Sequence, residues 1–218
     1  VTMQYALQLS LNVPAVTTLS LQEPWMNETI MGNLGLSNHV YDDKGTLQQK
    51  TSFAGSDALG INESTQHFAG AFAALANRGK YTTPMYIKSV TQNGETLDLN
   101  PQTKQAVSPK TAYQLLSMLQ TTTSPNSSAT SAAIPEYQGY AVKTGTVGMA
   151  DEQPIYADKD HQQYLGTASQ VAGGLLATDS WMSGTTKSTA VSVWTGFDDQ
   201  ARYGDWIDST NQTRDRKS

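Results

Sequence analysis

The stretch Tyr140–Met149, YAVKTGTVGM, sets one lysine inside a run of small and β-branched residues with two glycines. Tyrosine, valine and threonine favour extended backbone, so the segment reads as a strand. Its one charge, Lys143, stands beside Thr144, Gly145 and Thr146. A lone strand lysine commonly guards a sheet edge against aggregation. The residues around this one also fit a carboxylate site. An ammonium supplies positive charge, and threonine hydroxyls donate hydrogen bonds to the same anion. Glycine between them removes a side chain, so an extended peptide can lie against the strand edge and pair with its backbone. Which reading holds depends on a second stretch far away in sequence.

That stretch is LSLNVP, Leu9–Pro14. Met3, Ala6, Leu7 and Ser10 fall at i, i+3, i+4 and i+7, the spacing of one helix face, so Ser10 points where the apolar residues point. Pro14 disfavours helical geometry at Val13 and suits the first turn of a new helix, which puts Ser10 and Asn12 at a corner between two helices. A side-chain amide there can hold a substrate amide through both its donor and its acceptor. A serine near lysines can relay a proton.

Composition limits the alternatives. The 218 residues carry a formal net charge of -5 without a Lys/Arg cluster, which argues against nucleic acid and acidic membrane surfaces as partners. The absence of cysteine excludes disulfide and thiolate chemistry. No apolar run approaches the ~20 residues that span a bilayer, and no signal peptide opens the sequence. N-x-Ser/Thr sequons at Asn27, Asn62, Asn126 and Asn211 are what chance gives in a chain rich in Ser and Thr.

The scaffold is predicted from periodicity and caps. Phe68, Ala71, Phe72 and Leu75 mark a helix over 65–77, with Ser64 as N-cap and Gly79 ending it. YIKSVTQNGETLDL, residues 86–99, reads as a hairpin around Asn93-Gly94. Ser108 caps a third helix, with Pro109 in its first turn and Ala112, Leu115, Leu116 and Leu119 as its buried stripe. TTTSPNSSATSAAIP, residues 121–135, is low in complexity and is expected to be a mobile polar loop. Residues 147–178 lack periodicity and are left unassigned. DSWMSG and STAVSVWTGFDD, separated by TTK, read as two strands of a hairpin. The expected fold class is α+β, with about three antiparallel strands and helices packed on them.

The Ser-x-Asn and Lys-Thr-Gly elements occur here in the order found in penicillin-binding proteins and class A β-lactamases. The likeness extends to longer stretches: TMQYALQLSLNVPAV, STQHFAGAFAALANRGKYTTPMYIKSV, TAYQLLSMLQ, AVKTGT and VSVWTGFDD. Together they resemble the transpeptidase domain of class A, bifunctional penicillin-binding proteins over most of the chain, with residues 147–178 and the tail after Asp199 matching poorly. The resemblance implies an incomplete transpeptidase fold, one partial domain over 1–218. Residues 1–135 would be mainly helical, 136–200 would hold the sheet strands, and 201–218 would be a tail.

The resemblance also implies roles. Lys143, Thr144 and Thr146 would face the terminal carboxylate of a D-Ala-D-Ala stem peptide or of a β-lactam, and Gly145 would permit close approach. The Thr146 backbone N–H would be half of an oxyanion hole, where one donor is commonly worth ~3–4 kcal/mol. Ser10 would pass a proton toward the leaving amine, and Asn12 would position the substrate amide. No cofactor and no metal are expected. The implied location is the extracytoplasmic face of a bacterial cell membrane or the cell wall, with any anchor outside this chain.

One element of the family pattern is absent. No serine among the 218 residues is followed by lysine three positions later, so the nucleophile of Ser-x-x-Lys is not in this chain. The expected protein is the C-terminal part of a D,D-transpeptidase that cross-links peptidoglycan through a serine acyl-enzyme, and the chain alone is expected to be inactive. Self-association, or retention of the missing N-terminal part, would cover the face thereby left open. The alternatives are a non-catalytic module that binds peptidoglycan peptides, and a D,D-carboxypeptidase or β-lactamase on the same fold.

Overall fold

A computed structural model describes residues 1–41, 46–50, 55–137, 139–148, 154–156, 163–172 and 177–196. The chain falls into two compact units, one of residues 1–143 with 183–192 and one of residues 144–182 with 193–218.

In the first unit, α1 (Met3–Gln8) begins at Thr2, whose side chain accepts from the Tyr5 N–H at 3.2 Å. It ends in a left-handed turn. Ser10 has φ 54, the Leu11 N–H donates to the Ala6 carbonyl at 2.9 Å, and the Ser10 N–H donates to Leu7 at 3.1 Å. This closure usually recruits glycine at the left-handed position, because a Cβ there is crowded. α2 (Asn12–Ser20) follows at once, with Leu11 as its N-cap and Asn12 as its first residue. The expected corner is therefore present, and the second helix starts two residues before Pro14. α3 (Pro24–Asn33), which periodicity did not reveal, has Pro24 in its first turn.

The helices predicted from capping are found within a residue of their expected ends. α4 (Thr65–Ala76) is capped by Ser64, which accepts from the His67 N–H at 3.2 Å. α5 (Pro109–Leu119) is capped by Ser108, which accepts from the Thr111 N–H at 3.1 Å. Leu75, Ala112, Leu119 and Ala141 form a buried core against which Leu7, Phe72, Leu115 and Leu116 pack. One cluster thus joins α1, α4 and α5 to the start of the lysine strand. Glu63, just before α4, has a fully buried side chain that accepts from the Ser37 N–H at 2.7 Å, the Ser64 N–H at 2.8 Å and His67 Nδ1 at 2.7 Å. Those donors make its burial tolerable.

Short antiparallel pairs decorate this scaffold: β1 (Asn38–Tyr41) with β2 (Leu47–Lys50), and β3 (Lys80–Thr82) with β6 (Thr103–Gln105). The hairpin of β4 (Val90–Gln92) and β5 (Glu95–Leu97) turns at Asn93 and Gly94, with φ 53 and 84. Positive φ at both central residues is the geometry that favours Asn-Gly.

The polar segment after α5 departs from expectation. It is folded into two 3-10 turns, Gln120–Thr123 and Thr130–Ala132, with Thr122 and Ala129 fully buried. Its hydroxyls bond to main chain, which is why a run of Ser and Thr makes compact structure here. Thr130 Oγ1 lies 2.8 Å from the carbonyls of both Ser124 and Ser127 and accepts from the Ser127 N–H at 2.8 Å.

β7 (Ala141–Gly148), β10 (Ala177–Thr185) and β11 (Ala190–Gly196) form a three-stranded sheet in the order β11-β10-β7. β7 and β10 run antiparallel: a Cβ at Gly184 would meet Ala141 and Val142, one at Gly145 would meet Trp181, and Thr178 reaches the Val147 carbonyl. The expected α+β class is what the chain has, and the three late strands read from the sequence form one sheet.

In the second unit, the segment that lacked periodicity contains β8 (Pro154–Tyr156) paired antiparallel with β9 (Tyr164–Thr167), followed by α6 (Ala168–Ala172). Trp194 on β11 lies 6.3 Å, centroid to centroid, from Trp181 on β10, and its indole N–H donates to Asp179 at 2.9 Å. The end of VSVWTGFDD, residues 197–199, and the tail 201–218 lie outside the described residues.

Candidate active site

Ser10 is held by the backbone closure at the end of α1 and not by side-chain packing; it is exposed. A serine in the left-handed region costs energy that glycine would avoid, and such outliers concentrate at functional positions. Lys143 comes from the opposite direction in sequence. Ala141 and Val142, the first residues of β7, are buried, and they anchor the strand so that the next side chain emerges from the core. The Lys143 ammonium donates to Ser10 Oγ at 2.6 Å, across 133 residues of sequence. Burial pushes its pKa below the usual lysine value, since desolvation disfavours the charged form.

Ser10, Asn12 and Lys143 all line one cavity of about 430 Å³ in the first unit. Its other walls are largely apolar: Ala6, Leu7 and Leu11 from the α1 corner, Ala15 and Leu19 from α2, and Leu59. Asn12 is exposed at the first position of α2. The structure therefore brings three of the sequence-derived residues to one surface. A hydroxyl bonded to a desolvated ammonium can accept a proton on one side and release one on the other, the arrangement that proton relay needs. The amide of Asn12 adds a donor and an acceptor.

Thr144, Gly145 and Thr146 continue β7 in the second unit, Thr144 and Gly145 half-buried and Thr146 exposed. A Cβ at Gly145 would stand 3.4 Å from Trp181 Cβ. β7 is the last strand in the sheet order, so among the described residues one of its edges has no neighbouring strand in that sheet. Val142 turns its carbonyl to that edge, where the Thr122 hydroxyl meets it at 2.7 Å. In an antiparallel strand, alternate residues present both backbone groups to the same side.

Residues that the sequence did not mark also serve this site. Thr122 and Gln8 bracket it through hydrogen bonds, and Leu59 supplies apolar wall. Their only sequence signals were a threonine within a low-complexity run, a polar residue late in a helix and an unassigned loop. Among the described residues no group of three His, Asp or Glu could hold a metal ion, and no helix is long and apolar enough to cross a membrane.

On this α+β scaffold the serine of a Ser-x-Asn corner meets the lysine of a Lys-Thr-Gly strand. Residues 1–195 match the family model described as penicillin binding protein transpeptidase domain, and the chain belongs to that family. Penicillin-binding protein 1A of Streptococcus pneumoniae is 30% identical over 198 residues, covering 90% of this chain and 25% of that protein. Penicillin-binding protein 1A/1B of Bacillus subtilis is 31% identical over 198 residues, covering 90% of this chain and 20% of that protein. The chain thus spans about a quarter or less of these relatives. Among solved structures, penicillin-binding protein 3 of Mycobacterium tuberculosis complexed with aztreonam has the same fold, with TM-score 0.58 and 19% identity over 88% of this chain and 44% of that one. A structure of the PonA1 protein from the same organism, in complex with penicillin V, gives TM-score 0.54 at 19% identity over 89% of this chain and 47% of that one.

Proposed function

We propose that this chain is the C-terminal part of a D,D-transpeptidase domain that cross-links peptidoglycan stem peptides through a serine acyl-enzyme, with the nucleophile outside these 218 residues. The 2.6 Å bond between Lys143 and Ser10 is the observation that supports this reading most strongly. It joins the second and third elements of a three-part signature, in an arrangement that edge protection alone does not require.

In this reading Ser10 is the proton relay. With Lys143 beside it, the hydroxyl takes a proton from the nucleophile side and delivers it to the leaving amine of the terminal D-Ala. Asn12 holds the amide of the penultimate residue. Lys143, Thr144 and Thr146 receive the terminal carboxylate of the stem peptide or of a β-lactam. The outer edge of β7 accepts the ligand backbone as an added strand, and the Thr146 N–H serves the oxyanion. Gly145 leaves room for that approach. The partners are therefore D-Ala-D-Ala peptides, β-lactams and the segment holding the nucleophile, outside the cytoplasmic membrane. The lack of a Ser-x-x-Lys element among these residues supports one other reading, a non-catalytic module that binds peptidoglycan peptides.

A competition experiment in the complete gene product tests the carboxylate assignment. A β-lactam with a free carboxylate should acylate much faster than its methyl ester, and Lys143→Ala should abolish that preference. Equal rates for acid and ester in the wild type would remove the basis for the proposed ligand. Tight, reversible binding of a D-Ala-D-Ala peptide without acylation would favour the binding module.

A further inference from the structure

The Ser10–Lys143 bond joins two elements, α1 and β7, and each is separately tied to the polar segment 120–133. On the strand side, Thr122 Oγ1 lies 2.7 Å from the carbonyl of Val142, the residue before Lys143, and 2.8 Å from that of Leu119. A hydroxyl has one proton, so it donates to one of these carbonyls at a time. On the helix side, Gln8 Nε2 donates to Ser127 Oγ at 2.8 Å, and the Ser128 N–H donates to the Gln8 carbonyl at 3.0 Å. Gln8 is two residues from Ser10. The segment is itself closed between those anchors, because the Ala129 N–H donates to the Thr122 carbonyl at 2.9 Å.

These contacts make a short circuit of polar bonds: Lys143, Val142, Thr122, Ala129, Ser128, Gln8 and back through the end of α1 to Ser10. Thr122 is 0% exposed, so water cannot replace its hydroxyl. Val142 presents its carbonyl at the edge of the last strand, where no neighbouring strand among the described residues supplies a donor.

We propose that Thr122 and Gln8 are positioning residues: by tying segment 120–133 to β7 one residue before Lys143, and to α1 two residues before Ser10, they set the separation of the Lys143 ammonium from the Ser10 hydroxyl. The consequence for acylation rests on the function proposed above; the positional claim does not. Losing the Thr122 hydroxyl leaves the Val142 carbonyl without this donor and frees the start of the strand to shift. Geometry errors of about 1 Å in such a relay cost roughly tenfold to a hundredfold in rate.

Two measurements separate the claims. In the 218-residue chain, competitive acetylation of lysines across pH, read by mass spectrometry, reports the titration of Lys143 against exposed Lys88 and Lys187. Thr122→Val should move the Lys143 profile upward as the ammonium gains water, while Thr122→Ser should restore the wild-type profile. A folded Thr122→Val protein with an unchanged Lys143 profile would overturn the proposal. If circular dichroism shows that Thr122→Val does not fold, Thr122→Ala decides: an upward shift supports the proposal and a wild-type profile refutes it. In the complete gene product, Thr122→Val should slow acylation by a fluorescent penicillin about tenfold or more, with Thr122→Ser within about twofold of wild type. Failure of the wild-type protein to acylate would count against the transpeptidase reading alone, because the lysine profile is read without turnover.

Discussion

Ser10 should be a position where stability and function pull in opposite directions, and two substitutions separate them. Its φ of 54 lies in the left-handed region, at the closure that ends α1. Ser10→Ala and Ser10→Gly both remove the hydroxyl that accepts from Lys143 at 2.6 Å, so that loss cancels between them. What differs is the backbone. A Cβ in left-handed geometry costs roughly 1–2 kcal/mol, which glycine avoids. Glycine in turn loses more unfolded-state entropy on folding, worth about 0.4–1 kcal/mol. The net expectation is that Ser10→Gly is more stable than Ser10→Ala by about 0.5–1 kcal/mol. Urea unfolding of both variants of the 218-residue chain measures this as a difference in midpoint at constant slope. In the complete gene product the two should be equally impaired in acylation, since neither can relay a proton. Equal stability of the two variants, or a more stable alanine variant, would show that the backbone at Ser10 is not strained as described.

Other consequences follow from particular residues. Lys143 has its pKa lowered by burial, so above the folded-state pKa and up to the unfolded value the unfolded chain binds the extra proton and stability rises with pH. Lys143→Met should abolish that rise and should not destabilise the protein at neutral pH; a wild-type pH dependence in the variant would contradict the desolvation argument. Glu63→Ala removes a buried carboxylate serving Ser37, Ser64 and His67, and should cost about 1–3 kcal/mol in chemical denaturation. A loss under about 1 kcal/mol would mean those donors find other partners. Gly94→Ala, at φ 84 in the β4–β5 turn, should cost about 1–2 kcal/mol if that hairpin unfolds with the rest of the chain, and nothing measurable if it frays first.

Much of this was legible from residue types. Ser64, Ser108 and Asn93-Gly94 act through local backbone chemistry, so caps and turns could be read without knowing the tertiary structure. The Ser10–Lys143 pairing was legible only because two short motifs are known to meet; nothing in the sequence between them, a separation of 133, implies the contact. Segment 121–135 misled because polar, repetitive composition usually means poor burial, whereas Thr122 satisfies its hydroxyl on backbone carbonyls and is buried completely. The left-handed turn at Ser10 was hidden because serine, unlike glycine, carries no signal for it. In residues 147–178 the pieces β8, β9 and α6 span only three to five residues each, too few to establish a period.

The most direct test of the central claim is to locate the acylated serine. The complete gene product, incubated with a β-lactam and digested, should yield one covalent adduct, on a serine followed three residues later by lysine and lying outside these 218 residues, while the 218-residue chain alone takes no label. An adduct on any serine from Ser10 to Ser218 would contradict the assignment of Ser10, Asn12 and Lys143 as partners to a nucleophile supplied from elsewhere.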